Sequence, residues 1–140
     1  MAKVLIVYWS GTGNTEKMAD FVEIGVREAG AEVVKKFVTD ASAAEIAGFD
    51  AVALGCPSMG AEELDPDMEL FSDEAKPLLA GKKLALFGSY DWGEGEWMEL
   101  WEERLADAGA TFVSEHGLII RNTPEGSDEQ LCKDLGALLA

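Results

Sequence analysis

The sequence predicts an α/β fold, a doubly wound parallel sheet with helices on both faces. Short apolar or β-branched runs occupy residues 4–8, 33–38, 51–54, 84–87 and 118–120. The stretches between these runs carry apolar residues at helical spacing. Alternating strands and helices favour parallel strands, because each helix returns the chain to the same end of the sheet. We therefore expect a sheet of five strands, covered by helices on both of its faces.

The predicted helices have apolar stripes and end signals. The first helix shares one apolar face among Met18, Val22, Val26 and Ala29. Gly30 is placed to end that helix. A later helix, before Gly109, has a second stripe formed by Trp97, Trp101, Leu105 and Ala108. These two tryptophans are therefore assigned to the core. The last helix is predicted to begin at a capping box, Ser127-x-x-Gln130, and to bury Leu131, Leu135, Leu138 and Leu139.

Composition and cysteine usage bound the class of protein. The 140 residues are 48% hydrophobic, which suits one domain over residues 1–140. The apolar run at residues 4–9 is too short for a secretory signal and no run approaches a membrane span, so a cytoplasmic protein is expected. Cys56 and Cys132 lie far apart without a C-x-x-C motif or a neighbouring histidine. We expect two reduced, packed thiols, no disulfide and no metal site.

The charge is strongly acidic and unevenly distributed. The formal net charge is −16, which excludes nucleic acid as a partner because basic clusters are missing. Residues 61–74 and 91–107 hold seven carboxylates each, and Arg104 is the only basic residue in either segment. A solvated surface explains acidity in general. It does not explain this clustering, and basic partner surfaces are favoured.

Residues 10–15, Ser-Gly-Thr-Gly-Asn-Thr, follow the first strand and are typical of a phosphate-binding loop without a positive charge. The missing lysine makes ATP and GTP unlikely ligands, and Glu16 stands where a dinucleotide fingerprint needs its third glycine. A terminal phosphate monoester remains, held by backbone N–H groups. Gly11 and Gly13 let the backbone curl around it. The side-chain donors would be the hydroxyls of Ser10, Thr12 and Thr15 and the amide of Asn14. The alternative is an ordinary strand-to-helix turn.

Two further loops follow predicted strands and contain side chains that could contact the faces of a planar ligand. Open parallel sheets bind their ligands beyond the carboxyl ends of the strands. The candidate binding loops are therefore residues 9–15, 56–66, 89–96 and 121–127. Met59 could lie on an aromatic face. Tyr90 and Trp92 belong to a glycine-bearing loop that offers them no burial. Taken singly, such residues more often pack on the domain, but their association with a phosphate loop favours a ligand.

Two other residues are assigned to structure. Trp9 borders the phosphate loop and is expected to pack against the domain. His116, the only histidine, has no plausible partner in the sequence.

Three motifs together resemble the flavodoxins: the S-G-T-G-N-T loop, the M-G-x-E turn and the S-Y-x-W-G loop. The resemblance covers essentially the whole chain. The roughly twenty-residue insertion that splits the fifth strand of long-chain members is absent, which indicates the short-chain type. The resemblance implies strand order 2-1-3-4-5 and non-covalently bound FMN at the switch point of the sheet, as in flavodoxins generally.

The resemblance also implies roles for individual residues. Residues 10–15 would hold the FMN phosphate, Met59 and Trp92 would flank the isoalloxazine ring, and Glu62 would accept a hydrogen bond from flavin N3–H. Ser89 and Asn122 match positions near the flavin and at the cofactor periphery. The other loop members expected to contact the cofactor are Pro57, Ser58, Gly60, Ala61, Tyr90, Asp91 and Gly93.

The implied function is a low-potential, one-electron carrier that shuttles between the FMN semiquinone and hydroquinone, and not an enzyme. Gly60 is the expected redox switch, because a flipped Gly60–Ala61 peptide could offer its carbonyl to protonated flavin N5. Ala61 replaces a residue that is usually polar in the family. Asp91 stands where close relatives are expected to have glycine, and it either lies at the pyrimidine edge of the flavin or points to solvent.

Partners and alternative functions follow from the same residues. The expected partners are basic faces of redox enzymes, bound transiently by a monomer, with no membrane involved. An NAD(P)H:quinone oxidoreductase or a flavin reductase of the same fold would need a second substrate pocket, and no added segment could build one. An interaction module that has lost its cofactor is the third possibility, disfavoured by the intact loops.

Overall fold

The computed structural model describes residues 2–60 and 62–140 of the chain. The strands are β1 Lys3–Tyr8, β2 Glu32–Phe37, β3 Ala51–Gly55, β4 Lys83–Tyr90, β5 Thr111–Phe112 and β6 Leu118–Arg121. The α-helices are α1 Asn14–Glu28, α2 Pro66–Ala75, α3 Glu96–Leu105 and α4 Ser127–Leu139. Short 3₁₀ helices occupy Val38–Asp40, Ala43–Gly48 and Lys76–Leu78.

The sheet is parallel, and its strand order β2-β1-β3-β4-β5 confirms the predicted order. Its fifth position is shared by two short strands. β5 pairs with the start of β4, where Lys83 lies opposite Thr111, and β6 pairs with the end of β4, where Phe87 lies opposite Leu118. The predicted strand at 118–120 is therefore the second half of an interrupted strand.

Glu102 of α3 contacts the segment that separates β5 from β6. Its carboxylate accepts the Gly117 backbone N–H at 3.1 Å. It also faces His116, with 3.3 Å between Nδ1 and Oε1. This contact agrees with the assignment of His116 to structure. The sequence offered no partner for it, because Glu102 is distant in sequence and comes beside it only through packing of α3 on the sheet.

Helices cover both faces of the sheet, as predicted. On one face α2 and α3 pack over apolar strand residues, with Trp97 and Trp101 fully buried. On the other face α1 and α4 pack over Val4, Ile6 and Phe87. The alternation of β1 side chains between the two faces explains why the strand reads as a continuous apolar run.

Two glycines allow α1 and α4 to pack backbone against backbone. A Cβ at Gly25 would lie 2.0 Å from the Lys133 carbonyl oxygen, and one at Gly136 would lie 2.2 Å from that of Val22. α1 ends as predicted at Gly30, whose φ is 90°. The Gly30 and Ala31 N–H groups donate to carbonyl groups of earlier helix residues, which ends the helix.

The last helix and the second crossover differ from the prediction. α4 begins after Gly126 without a side-chain cap, so the predicted capping box is absent, and Gln130 donates instead to Asp134. Leu131 and Leu138 are about half exposed, because Cys132 and Gly136 complete the buried stripe with Leu135 and Leu139. Between β2 and β3 the chain forms 3₁₀ turns, the second of which starts where Glu45 accepts the Ser42 N–H at 2.8 Å.

Candidate functional site

The predicted loops meet in one cleft of about 240 Å³ at the carboxyl edge of the sheet. Its predicted lining residues are Gly11, Thr12, Asn14, Pro57, Ser58, Met59, Ser89, Tyr90, Asp91 and Asn122. Trp9, assigned to packing from the sequence, also lines it. The other predicted residues lie around the cleft without lining it: Ser10, Gly13, Thr15, Gly60, Glu62, Trp92 and Gly93. Ala61 lies outside the described residues.

The loop before α1 leaves backbone donors uncommitted. Gly13, with φ of 96°, turns the chain into α1. The Ser10 hydroxyl oxygen accepts the N–H groups of Gly13 at 3.1 Å and Glu16 at 3.2 Å. In the described part of the chain, the N–H groups of Gly11, Thr12 and Thr15 donate to no acceptor. Donors of this kind at a helix N-terminus suit a phosphate group.

Trp9 joins the phosphate loop to the neighbouring wall of the cleft. Its backbone N–H donates to the Gly55 carbonyl at 2.9 Å, and its indole lies over Gly11. A Cβ at Gly11 would come within 2.8 Å of the Trp9 ring. The half-buried indole packs on the core and also lines the cleft. Its place next to Ser10 was the available sequence signal for this second role.

Thr15 and Ser89 meet beneath the phosphate loop. Their hydroxyl oxygens are 2.8 Å apart, and the Ser89 backbone N–H donates to Thr15 Oγ1 at 3.3 Å. Both residues are buried, with 0% and 3% of their surface exposed. Only Ser89 of the two lines the cleft. The loop that follows β1 is thereby attached to β4.

The turn after β3 carries Met59 into the cleft. Met59 and Glu63 exchange backbone hydrogen bonds of 2.9 Å in both directions, which closes a tight turn. Gly60 lies exposed at its tip with φ of 39°, and apart from its chain neighbours no described residue has an atom within 4 Å of the place a Cβ would occupy. Glu62 has a φ of 55°, rare for a residue with a side chain. The turn is therefore both strained and open to solvent at Gly60.

The Glu62 carboxylate points toward α3. Its Oε1 accepts the N–H groups of Gly95 at 3.2 Å and of Glu96 at 3.0 Å. It also lies against Gly93, where a Cβ would be 2.6 Å from Glu62 Cδ. A second, acidic cavity of about 320 Å³ adjoins it, between α2 and α3. Glu62 therefore joins the turn after β3 to the loop after β4.

Ser58 offers a polar group that no described residue uses. Its hydroxyl oxygen is buried and has no hydrogen-bond partner within residues 2–60 and 62–140. The residue lines the cleft, and its backbone N–H is already donated to the Ser89 carbonyl at 3.0 Å. A buried hydroxyl without a partner destabilises a protein unless a ligand or water completes it. The orphaned hydroxyl fits a cleft that binds a ligand with polar atoms.

The loop after β4 supplies the aromatic side of the cleft. The Tyr90 ring packs against Trp97, with 5.7 Å between ring centroids, and the Arg121 guanidinium carbon lies 5.4 Å from the Tyr90 centroid. Asp91 is exposed and lines the cleft. Trp92 has 55% of its surface exposed and lies outside the cleft. A planar ligand would therefore find Tyr90 in place and Trp92 available at its outer side.

Asn122 closes the cleft from the end of β6. Its φ is 60°, and its backbone N–H donates to the Tyr90 carbonyl at 2.7 Å. The next residue, Thr123, donates its hydroxyl to Asn14 Oδ1 at 2.9 Å. This leaves the Asn14 side-chain N–H₂ available to a ligand. Thr123 was not predicted, and no local motif marks a contact that spans so much of the chain.

Neither cysteine among the described residues is an activated nucleophile. Cys56, which precedes the turn at the cleft, is buried, and burial raises the pKa of its thiol to about 12. Burial likewise raises the pKa of Cys132 to about 12, so both thiols stay protonated at neutral pH.

Among the described residues, no group of His, Cys, Asp and Glu could hold a metal ion, and no helix is long and apolar enough to cross a bilayer.

Comparison with known proteins decides the family. The family model described as Flavodoxin matches residues 6–134. The chain belongs to the flavodoxin family. It is 47% identical to the flavodoxin of Megasphaera elsdenii, with 98% of both chains covered, and 45% identical to that of Clostridium beijerinckii, with 96% and 97% covered. Flavodoxins bind FMN and carry electrons, so the chain is an FMN-binding electron-transfer protein and not an enzyme.

Solved flavodoxin structures share the fold. The solution structure of two-electron reduced M. elsdenii flavodoxin superposes with a TM-score of 0.86 at 47% identity, with 97% of each chain covered. Oxidised flavodoxin 1 of Bacillus cereus gives a TM-score of 0.87 at 33% identity, covering 99% of this chain and 97% of that one. The short-chain flavodoxin prediction is confirmed.

Proposed function

We propose that residues 1–140 form one FMN-binding domain that works as a low-potential carrier of single electrons between the semiquinone and hydroquinone states of its flavin. One observation carries the proposal. At the start of α1, backbone N–H groups without an acceptor among the described residues lie beside a cleft with an aromatic side chain and a hydroxyl that no described residue partners. A phosphate and a polar planar ring joined by a short chain fit such a site.

The cofactor's two ends have different sets of partners. The N–H groups of Gly11, Thr12 and Thr15 and the Asn14 side chain would hold the phosphate, with no lysine or arginine in residues 10–15. Met59 would lie on one face of the ring. Trp92, half exposed beside the cleft, would cover the other face. Glu62 uses Oε1 for α3, which leaves Oε2 to accept from flavin N3–H.

Gly60 supplies the redox-linked hydrogen bond in this proposal. FMN supplies the electron chemistry when it is bound, and the protein decides which protonation state of flavin N5 is stabilised. The positive φ of Gly60 and the open space around it support a peptide that rotates to present its carbonyl to the protonated nitrogen. A Cβ at this position would oppose that rotation.

The acidic surroundings oppose full reduction. A carboxylate about 10 Å from the ring, at an effective dielectric of about 20, raises the energy of an added negative charge by about 1.7 kcal/mol before salt screening. For a single electron this is roughly 70 mV. Asp91 lines the cleft, and Glu62 and Glu63 belong to the turn that carries Met59 into it. They support a strongly negative second potential.

The same charges support transient docking on basic faces of redox enzymes. A net charge of −16 steers a basic partner toward the protein and repels a second copy, which favours a monomer and contacts that weaken with salt. The two buried free thiols suit a reducing compartment, and we place the protein in the cytoplasm.

An anaerobic dithionite titration of the FMN-loaded protein tests the proposal. A neutral blue semiquinone that accumulates before the hydroquinone appears would support a one-electron carrier. Direct conversion of oxidised flavin to the two-electron reduced form would contradict it. Protein that fails to bind FMN at all would remove the cofactor assignment itself.

A further inference from the structure

Met59 is the most accessible sulfur-bearing side chain among the described residues. It is partly exposed and sits in a turn that is open to solvent, because Gly60 at the tip of the turn is exposed. The other sulfur-bearing residues that the structure describes are at most 2% exposed: Met18, Cys56, Met68, Met98 and Cys132. A small oxidant that enters from solvent therefore reaches Met59 before any of these five sulfur atoms.

The buried sulfur groups are protected by packing and by protonation. Met68 and Met98 belong to the core on one face of the sheet, and Met18 belongs to the core on the other face. Burial raises the pKa of the Cys56 and Cys132 thiols to about 12. Because the thiolate is the reactive form of cysteine, both thiols are poor targets for an oxidant near neutral pH.

Met59 also lies where a chemical modification has a consequence. It lines the cleft of about 240 Å³ together with Tyr90, and the proposed function places it against one face of the flavin ring. A thioether is apolar and polarisable, and it makes favourable contacts with aromatic rings. A sulfoxide is polar, and its oxygen loses its water when a ring covers it. Oxidation of Met59 would therefore weaken the binding of a planar ligand.

We propose that Met59 is a reversible oxidation site through which hydrogen peroxide controls the loading of FMN. Peroxide transfers one oxygen atom to the thioether. Its O–O bond breaks, an S–O bond forms, the sulfur is oxidised by two electrons and the peroxide is reduced to water. The reaction takes place while the cleft is empty, because a bound flavin covers Met59. Methionine sulfoxide reductases return the sulfur to the thioether. This inference rests on the proposed FMN site and adds an oxidative control to it.

The first experiment locates the oxidation. FMN-free and FMN-loaded protein are treated with hydrogen peroxide, and peptide mass spectrometry follows the addition of one oxygen atom at each methionine. In the FMN-free protein, Met59 should be oxidised at least about tenfold faster than the buried methionines, because susceptibility follows exposure. Bound FMN should slow the oxidation of Met59 by about tenfold or more and leave the buried methionines unchanged.

The second experiment measures the effect on cofactor binding. FMN dissociation constants are determined by flavin fluorescence before and after peroxide treatment of the FMN-free wild type, Met59→Leu and Met98→Leu. Treatment should weaken FMN binding about tenfold in wild type and in the matched Met98→Leu control. In Met59→Leu, treatment should leave the dissociation constant unchanged, whatever its starting value. This variant keeps Met1, which lies outside the described residues, so it also separates the effect of Met59 from that of the N-terminal methionine.

Repair of the oxidised protein gives a further readout. Methionine sulfoxide reductases of both stereospecificities, supplied with a dithiol, should restore the FMN affinity of treated wild-type protein. A loss of affinity that these enzymes do not reverse would show damage other than a methionine sulfoxide, and would contradict the proposal.

The outcomes separate this inference from the proposed function. Faster oxidation of a buried methionine, unchanged FMN affinity after oxidation of Met59, or an equal loss of affinity in Met59→Leu would each overturn the inference while FMN binding by the untreated protein stands. Failure of the untreated wild-type protein to bind FMN would instead overturn the proposed function, and the control of loading with it.

Discussion

Glu62 accepts a hydrogen bond from the backbone N–H of Glu96 at 3.0 Å. The turn after β3 is thereby attached to the first turn of α3, and the same carboxylate oxygen accepts the Gly95 N–H. Because a helix N-terminus has uncompensated N–H groups and a partial positive charge, a carboxylate there stabilises the helix. The acidic turn and the aromatic loop thus hold each other in place before any ligand binds.

Replacing Glu62 with alanine should lower the stability of the apoprotein by about 1 kcal/mol, the usual effect of a lost helix cap. Glu62→Gln, which keeps an accepting oxygen without the charge, should lose less. Urea unfolding of the apoprotein measures both. Glu63→Ala is the control, because it removes the same charge from the same turn. An equal loss of stability in the Glu63 and Glu62 variants would show that the removed charge, and not the lost hydrogen bonds to the helix N-terminus, is responsible.

The sequence predicted the parts of the fold that local patterns encode. Strand runs and the helix end at Gly30 match the structure, because periodicity and backbone conformation are properties of neighbouring residues. The order of the sheet also matches, but it was implied by the resemblance to flavodoxins and not by local patterns. The capping box at Ser127 and the burial of Leu131 and Leu138 were wrong. Helical spacing alone does not fix the rotation of α4, which the close approach of Gly136 to α1 determines.

For the candidate site too, local motifs predicted some features, whereas contacts between distant residues could not be predicted. The loop at residues 10–15 and Met59 were found from motifs and lie at the cleft. The partners of Asn14, Thr15 and His116 were not found, since each contact joins residues that are distant in sequence. The direction of the Glu62 side chain was likewise unavailable, because it depends on the position of α3.

Gly25→Ala should destabilise the protein by about 1–3 kcal/mol, the range for an overpacked interior. The new Cβ would meet the Lys133 carbonyl oxygen at 2.0 Å, and backbone cannot move aside as a flexible side chain can. Gly48→Ala is the control, because apart from its chain neighbours no described residue lies within 4 Å of its Cβ position. Thermal unfolding should show a lower Tm for Gly25→Ala alone. Equal Tm values would mean that α1 and α4 separate at little cost.

Ser58→Ala should have opposite effects on the empty and the loaded protein. The apoprotein should become no less stable, because the variant removes a buried hydroxyl that no described residue partners. FMN should bind more weakly, by about 1 kcal/mol or roughly fivefold, if the hydroxyl is completed by the cofactor. Urea unfolding without FMN and a fluorescence titration measure the two quantities. A less stable apoprotein with unchanged FMN affinity would make Ser58 a structural residue only.

Because the two thiols are buried, the free energy of unfolding should fall in alkaline solution. Burial raises the pKa of Cys56 and Cys132 to about 12, whereas an unfolded thiol titrates near 8.5. Between these values the unfolded chain loses protons that the folded chain keeps, so unfolding becomes easier as the pH rises. From pH 8 to 10 each thiol should contribute at most about 2 kcal/mol. Cys56→Ala should flatten the decline, as measured by urea unfolding at both pH values, and an unchanged slope would contradict the assignment.

Gly60→Thr should lower the largest semiquinone fraction reached during reductive titration. Gly60 has a positive φ, and apart from its chain neighbours no described residue lies within 4 Å of its Cβ position, so we expect the added side chain to act through backbone conformation. If the peptide must rotate to present its carbonyl to flavin N5, the variant opposes that rotation. Spectra recorded during anaerobic titration measure the fraction directly.

Gly81→Thr gives the matched control for this last prediction. Gly81 also has a positive φ, and apart from its chain neighbours no described residue lies within 4 Å of its Cβ position, but it lies before β4, at the opposite end of that strand from the cleft. Both variants should lose some stability through backbone strain. Only the Gly60 variant should change the separation of the two reduction potentials. A semiquinone yield equal to wild type in Gly60→Thr would show that this peptide does not respond to the redox state of the flavin.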